Sequence, residues 1–216
     1  MKRASLPKIA IASTAIAAAY FRLARPRVIN WGATTEEAQR PMPGDEILPD
    51  AALQTTRVVT INAPPERIWP WLVQMGPRPR AGAYTYDWIE RLLGIDIANT
   101  DRILPEYQHL DVGEFLALNQ KGNGGNGITV RGVQPERFLV LQWIPAKSTW
   151  TFALYPQDGD RTRLVSRNRL SGSGLLFWFG MIAFMELGSL IMERKMLLGI
   201  KRRAEMLARA PEQTRS

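Results

Sequence analysis

Tyr84-Thr85-Tyr86-Asp87 is an uninterrupted run of phenol, hydroxyl and carboxyl side chains. Phenol and carboxyl groups this close can orient a ligand hydroxyl or act as an acid–base pair, through Tyr86 and Asp87. Asp87 can equally do no more than cap a helix beginning there. The only histidine, His109, lies in a polar loop without a Ser or Asp at relay-motif spacing, which argues against a catalytic base. Cysteine is absent, excluding thiol nucleophiles, disulfides and Cys-built zinc sites. No carboxylate cluster has metal-ligand spacing, so neither metal nor cofactor is expected. The run Gly122–Gly127 lacks the Lys-Ser/Thr ending of a phosphate loop and fits a flexible hairpin. Arg163, Arg167 and Arg169 share one side of a strand, where they would either bind a carboxylate inside a cavity or mark the solvated sheet face.

Aromatic residues suggest a different chemistry. Trp69, Trp71, Trp88, Trp143, Trp150 and Trp178 all fall in expected elements. They either line an apolar pocket and stack on a flat ligand or are ordinary core.

Charge separates along the chain. Residues 1–30 hold six basic residues and no acid, residues 31–160 hold 11 basic and 16 acidic, and residues 161–216 hold 11 basic and four acidic. The excess behind the net charge of +8 therefore sits at the ends, beside the most apolar stretches, which fits an anionic membrane surface better than nucleic acid.

These side chains need elements to position them, and 216 residues suffice for one good-sized core. Residues 1–28 form an anchor or signal-like helix, in which the uncharged run Ile9–Phe21 lies between basic flanks. Thirteen residues match a signal-peptide h-region, yet Arg22, Arg25 and Arg27 just beyond oppose translocation. An uncleaved anchor, an interfacial helix and a helix on the protein's own surface are the alternatives to secretion. Residues 29–53 are Pro-broken and polar, an irregular linker or strap, and residues 54–210 form the folded domain.

Within that domain, 55–62 is a β-branched strand and 65–76 a helix opened by Pro64-Pro65. A second short helix spans 86–93. Strands at 114–118, 128–133, 138–143, 150–155 and 163–170 are joined by short turns and so pair antiparallel. A helix over 175–208 ends the chain, with Met196 and Ile200 on the apolar stripe of its second half. Its first half, Leu175–Met192, has the length of a transmembrane helix, but Glu186 and two glycines oppose spanning.

The segment Ala63-Pro64-Pro65-Glu66-Arg67-Ile68-Trp69-Pro70-Trp71-Leu72 resembles the strand-to-helix start of the SRPBCC (START-like, polyketide-cyclase-like) superfamily. Tyr84–Glu90, Asp101–Glu106 and Met192–Lys201 resemble the second helix, following loop and C-terminal helix of a bacterial subgroup. The likeness runs from about Trp31 to Ala208. It implies an α+β helix-grip fold, a curved antiparallel sheet around a long C-terminal helix, with an apolar cavity between them. On this basis Trp71, Tyr84, Tyr86, Trp88, Trp143, Trp150, Met196 and Ile200 are the candidate ligand-binding residues. The leading expectation is a non-catalytic carrier of a lipid, sterol or polyketide-like molecule. It would associate with a membrane through its N-terminal segment, with the folded body cytoplasmic. A polyketide cyclase or dehydratase using Tyr86 and Asp87 is the alternative, and a structural partner of a membrane protein the third.

Overall fold

The computed structural model describes residues 18–92, 94–118, 127–143, 147–180 and 186–209. Most of Ile9–Phe21, all of Gly122–Asn126 and the side chain of Trp178 lie outside the described residues.

Short turns between extended segments enforce antiparallel pairing, and the sheet is antiparallel throughout. Its strands are β1 (Leu53–Ile61), β2 (Phe115–Ala117), β3 (Gly127–Gln134), β4 (Phe138–Trp143), β5 (Ser148–Gln157) and β6 (Arg161–Leu170), in the order β1-β6-β5-β4-β3-β2. The first strand thus pairs with the last, Leu53 opposite Leu170 and Ile61 opposite Thr162.

Helices α1 (Arg25–Ile29) and α2 (Thr35–Gln39) precede β1. Helix α3 (Pro65–Val73) and α4 (Asp87–Leu92) follow it, and α5 (Leu175–Gly180) and α6 (Ser189–Arg209) close the chain. The curved open sheet carries α6 packed on it, which is the α+β architecture the sequence implies. No helix among the described residues is long and apolar enough to cross a membrane, which removes the transmembrane reading from them.

Strand alternation sends even-numbered residues of β5 and β6 to the α6 side. There Phe152, Leu154 and Leu164 pack against Met196, Leu197 and Ile200 of α6 and Ile68, Trp71 and Leu72 of α3. The opposite face carries Arg163, Arg167 and Arg169, so none of the three guanidinium groups enters the interior. Neither is that face solvated, as an alternating polar strand suggests. Residues 31–50 cross it and receive all three arginines. Arg163 grips Glu37 through two nitrogens at 2.8 and 2.6 Å and reaches the Gly32 carbonyl. Arg167, 2% exposed, donates to Asp45 at 2.7 Å and to the carbonyls of Glu37, Ala38 and Arg40. Arg169 donates to the carbonyls of Leu48 and Pro49. Met42 adds a small apolar cluster with Val58, Ala153 and Val165. The strap is a third layer, held to the sheet chiefly by charge-assisted hydrogen bonds to its backbone.

The strap also protects the free edge of β1, where the Val58 amide donates to the Trp31 carbonyl at 2.9 Å. Gly32 has φ +76, and a Cβ there would lie 2.1 Å from the Val58 oxygen, so only glycine permits the crossing.

Candidate functional site

Between the inner sheet face, the first turns of α6 and the loop from Met75 to Ile97 lies a cavity of about 300 Å³. Its wall is mainly apolar: Leu53, Leu116, Ile128, Leu141, Trp143, Trp150 and Leu170 from the sheet, Met75, Ile95 and Ile97 from the loop, Met192 and Met196 from α6. This is the size and character of a small-molecule site.

Trp143 and Trp150 reach it because both lie on inward-facing strand positions, as diagonal neighbours with Trp143 opposite Ser148 and Trp150 opposite Leu141. Trp143 is 38% exposed and stands at the rim, whereas Trp150 tilts against Phe152 with ring centroids 4.8 Å apart. The Trp150 indole nitrogen donates to Ser166 at 2.8 Å. Ser166 donates in turn to Glu193, which also receives Asn168 and the fully buried Arg57. Arg57 additionally donates to Ser189 at 3.0 Å. Burial pushes the Glu193 carboxyl up, against the pull of Arg57 and the Ser166 and Asn168 hydrogen bonds. This network pins the start of α6 to the sheet behind the cavity.

The other sequence candidates are placed differently. Met196 lines the cavity, whereas Ile200, one turn on, is buried in the core. Trp71 and Tyr84 are also core: their rings meet edge-to-face at 6.2 Å, and the Tyr84 hydroxyl donates to the Trp71 carbonyl at 3.0 Å. Burial raises the Tyr84 phenol far above its ordinary pKa, so it serves as a structural donor. Tyr86 lies under Lys195, 5.5 Å from the ring centroid, and Asp87 holds Asn99 and faces Arg91 at 3.7 Å. Neither lines the cavity. Trp88 is 66% exposed and points away from it. His109 is exposed and bonded to Asp111 at 3.1 Å.

Sequence reasoning missed Glu90. On α4 it is 6% exposed and lines the cavity, while Trp88 and Leu92 on the same helix face outward. Thr85 donates to its Oε1. Burial raises its carboxyl pKa, the Thr85 hydrogen bond opposes this, and the nearby Asp87 charge reinforces it. The only signal in the sequence was a glutamate inside an apolar-flanked six-residue helix.

No protein-family model matches the chain, and no curated protein matches it. Among solved structures, a conserved protein of unknown function from Enterococcus faecalis is 19% identical, covering 74% of this chain and 76% of that one, with a TM-score of 0.42. The self-sacrificing resistance protein CalC from Micromonospora echinospora is 12% identical over 73% and 97% of the two chains, with a TM-score of 0.46. A polyketide-cyclase-like protein from Corynebacterium glutamicum is 12% identical over 72% and 89%, with a TM-score of 0.34. What assigns the fold is this chain's own topology, a terminal β1–β6 pair with a long C-terminal helix across the sheet. That topology is the α+β helix-grip arrangement. In this chain the space between helix and sheet is open.

Proposed function

We propose that the protein binds and carries a hydrophobic small molecule, of lipid, sterol or polyketide-like size, in the cavity behind α6 and close to a membrane surface. The observation that carries this reading is the cavity itself. Close-packed interiors leave few voids larger than a water molecule, so about 300 Å³ walled by two tryptophans and aliphatic side chains supports reading it as a site. Membrane proximity is supported by exposed apolar side chains towards both ends of the chain: Phe21 and Leu23 beside Arg22, Arg25 and Arg27, and Leu175, Leu176, Leu187 and Ile191. Apolar burial and attraction to anionic headgroups reinforce each other on such a surface. A cyclase or dehydratase working through Tyr86 and Asp87 would need those groups at the cavity wall. Organic extraction of the purified protein followed by mass spectrometry tests the carrier reading. One recurring apolar species per chain is expected, and none across several expression hosts would sink it.

A further inference from the structure

Helix α4 is inside out. Its largest apolar side chains, Trp88 and Leu92 (79% exposed), face outward and its Glu90 faces inward. Burying a carboxyl group is costly unless it is paired, and Glu90 is half paired. Thr85 satisfies Oε1, but Oε2 is buried with no hydrogen-bond partner among the described residues. The Thr55 hydroxyl, on β1 in the same cavity wall, is a second buried group without one.

The surroundings determine which form of Glu90 they favour. Asp87, in its own helix, is a like charge. Across the cavity Glu193 is another carboxyl, and it already holds Arg57. Arg169 contributes to the cavity wall, but its guanidinium lies on the opposite face of the sheet, held by Leu48, Pro49 and Gln54. Among the described residues lining the cavity no other cation faces Glu90, and burial raises its pKa. A neutral carboxyl carries a hydroxyl donor that requires an acceptor. The support is rigid: Tyr84 takes a left-handed turn (φ 58), its amide donates to Asn99 at 2.5 Å, and Asn99 donates to the Thr85 carbonyl at 3.0 Å.

We propose that the cavity's ligand is apolar in body and carries a carbonyl or hydroxyl oxygen at one end, which accepts a hydrogen bond from Glu90 Oε2. This rests on reading the cavity as a binding site.

The test uses full-length protein and two neutral naphthalene probes. One is 6-propionyl-2-dimethylaminonaphthalene, whose ketone emission shifts to the red on accepting a hydrogen bond. The other is N-phenyl-1-naphthylamine, which has no carbonyl. Both should bind wild type by tryptophan-excited energy transfer. Glu90→Leu should weaken the ketone about tenfold and shift its emission to the blue, while changing the naphthylamine less than about twofold. Glu90→Gln keeps a donor and should hold the ketone within about threefold of wild type. Equal loss of both probes in Glu90→Leu, or unchanged ketone affinity and emission, overturns the proposal. If Glu90→Leu is misfolded by circular dichroism, the ketone's emission in wild type decides: a dry-solvent position overturns it and a hydrogen-bonded one supports it. Failure of both probes to bind wild type removes the cavity reading itself, and this proposal with it.

Discussion

Trp143 and Trp150 share a wall of the cavity while Trp88 stands in solvent, so replacing them should separate binding from exposure. Trp143→Ala should weaken an apolar probe about tenfold, since about 1.4 kcal/mol of contact is lost with part of an indole. Trp88→Ala should change it less than about twofold, and equal effects would place Trp88 in the site after all. Both outcomes are read by fluorescence titration. The two strand tryptophans were legible because alternation assigns a face from sequence alone. Helix α4 was not: six residues make fewer than two turns, too short for a 3.6-residue period to choose a face, and the choice made there is inverted. Tyr84 shows the same limit in another form. Its ring is hidden by contacts with Trp71, Gln74 and Arg203, distant in sequence or on other elements, which no local pattern announces.

The strap binds the sheet through residues whose partners are mostly backbone carbonyls, and its broken, Pro-containing sequence carried no period to reveal this. The strand positions of the three arginines were readable; what covers them was not. Truncating Arg167 would strip Asp45 of its nearer cation, leaving Arg169 at 3.8 Å, and leave several buried carbonyls unsatisfied. Arg167→Ala should therefore cost about 3–5 kcal/mol in denaturant unfolding, whereas an exposed Arg161→Ala should cost under about 0.5 kcal/mol. Gly32→Ala should cost about 1–3 kcal/mol or more, because the backbone must leave φ +76 and retreat from Val58. The strap also sets an acid limit. Burial would raise the Glu37 carboxyl, but Arg163 and the Thr34 hydrogen bonds outweigh it and hold the group below its ordinary pKa. A depressed carboxyl stabilises the fold above its unfolded pKa of about 4.3 and loses that contribution as pH falls through the folded value. Wild type should lose stability below about pH 4.5 more steeply than Glu37→Gln, measured by urea midpoints across pH; parallel curves would contradict the pairing.

Across the whole molecule, the two basic, apolar ends meet. Glu186, fully buried before α6, receives the Tyr20 hydroxyl at 3.0 Å and Arg25 at 2.7 Å. The residue that argued against a span in Leu175–Met192 is thus the attachment point for the N-terminal helix, a long-range pairing that local reading could not supply. It also sets where a truncation can be made: removing Arg25 would leave a buried carboxylate alone. Deleting residues 1–19 keeps the latch, and the shortened protein should stay folded yet lose most of its sedimentation with phosphatidylglycerol vesicles. Retained sedimentation would move the membrane contact to Leu175, Leu176 and Ile191.

The central claim is that the space behind α6 is a binding site, and filling it is the most direct test. Ala83 lines the cavity from the loop before Tyr84. Titration of wild type with N-phenyl-1-naphthylamine, read by energy transfer from tryptophan, should saturate at one probe per chain. In Ala83→Trp, with circular dichroism unchanged, it should lose at least about tenfold in affinity. Saturable binding of equal strength in the filled variant, or none in wild type, would contradict the claim.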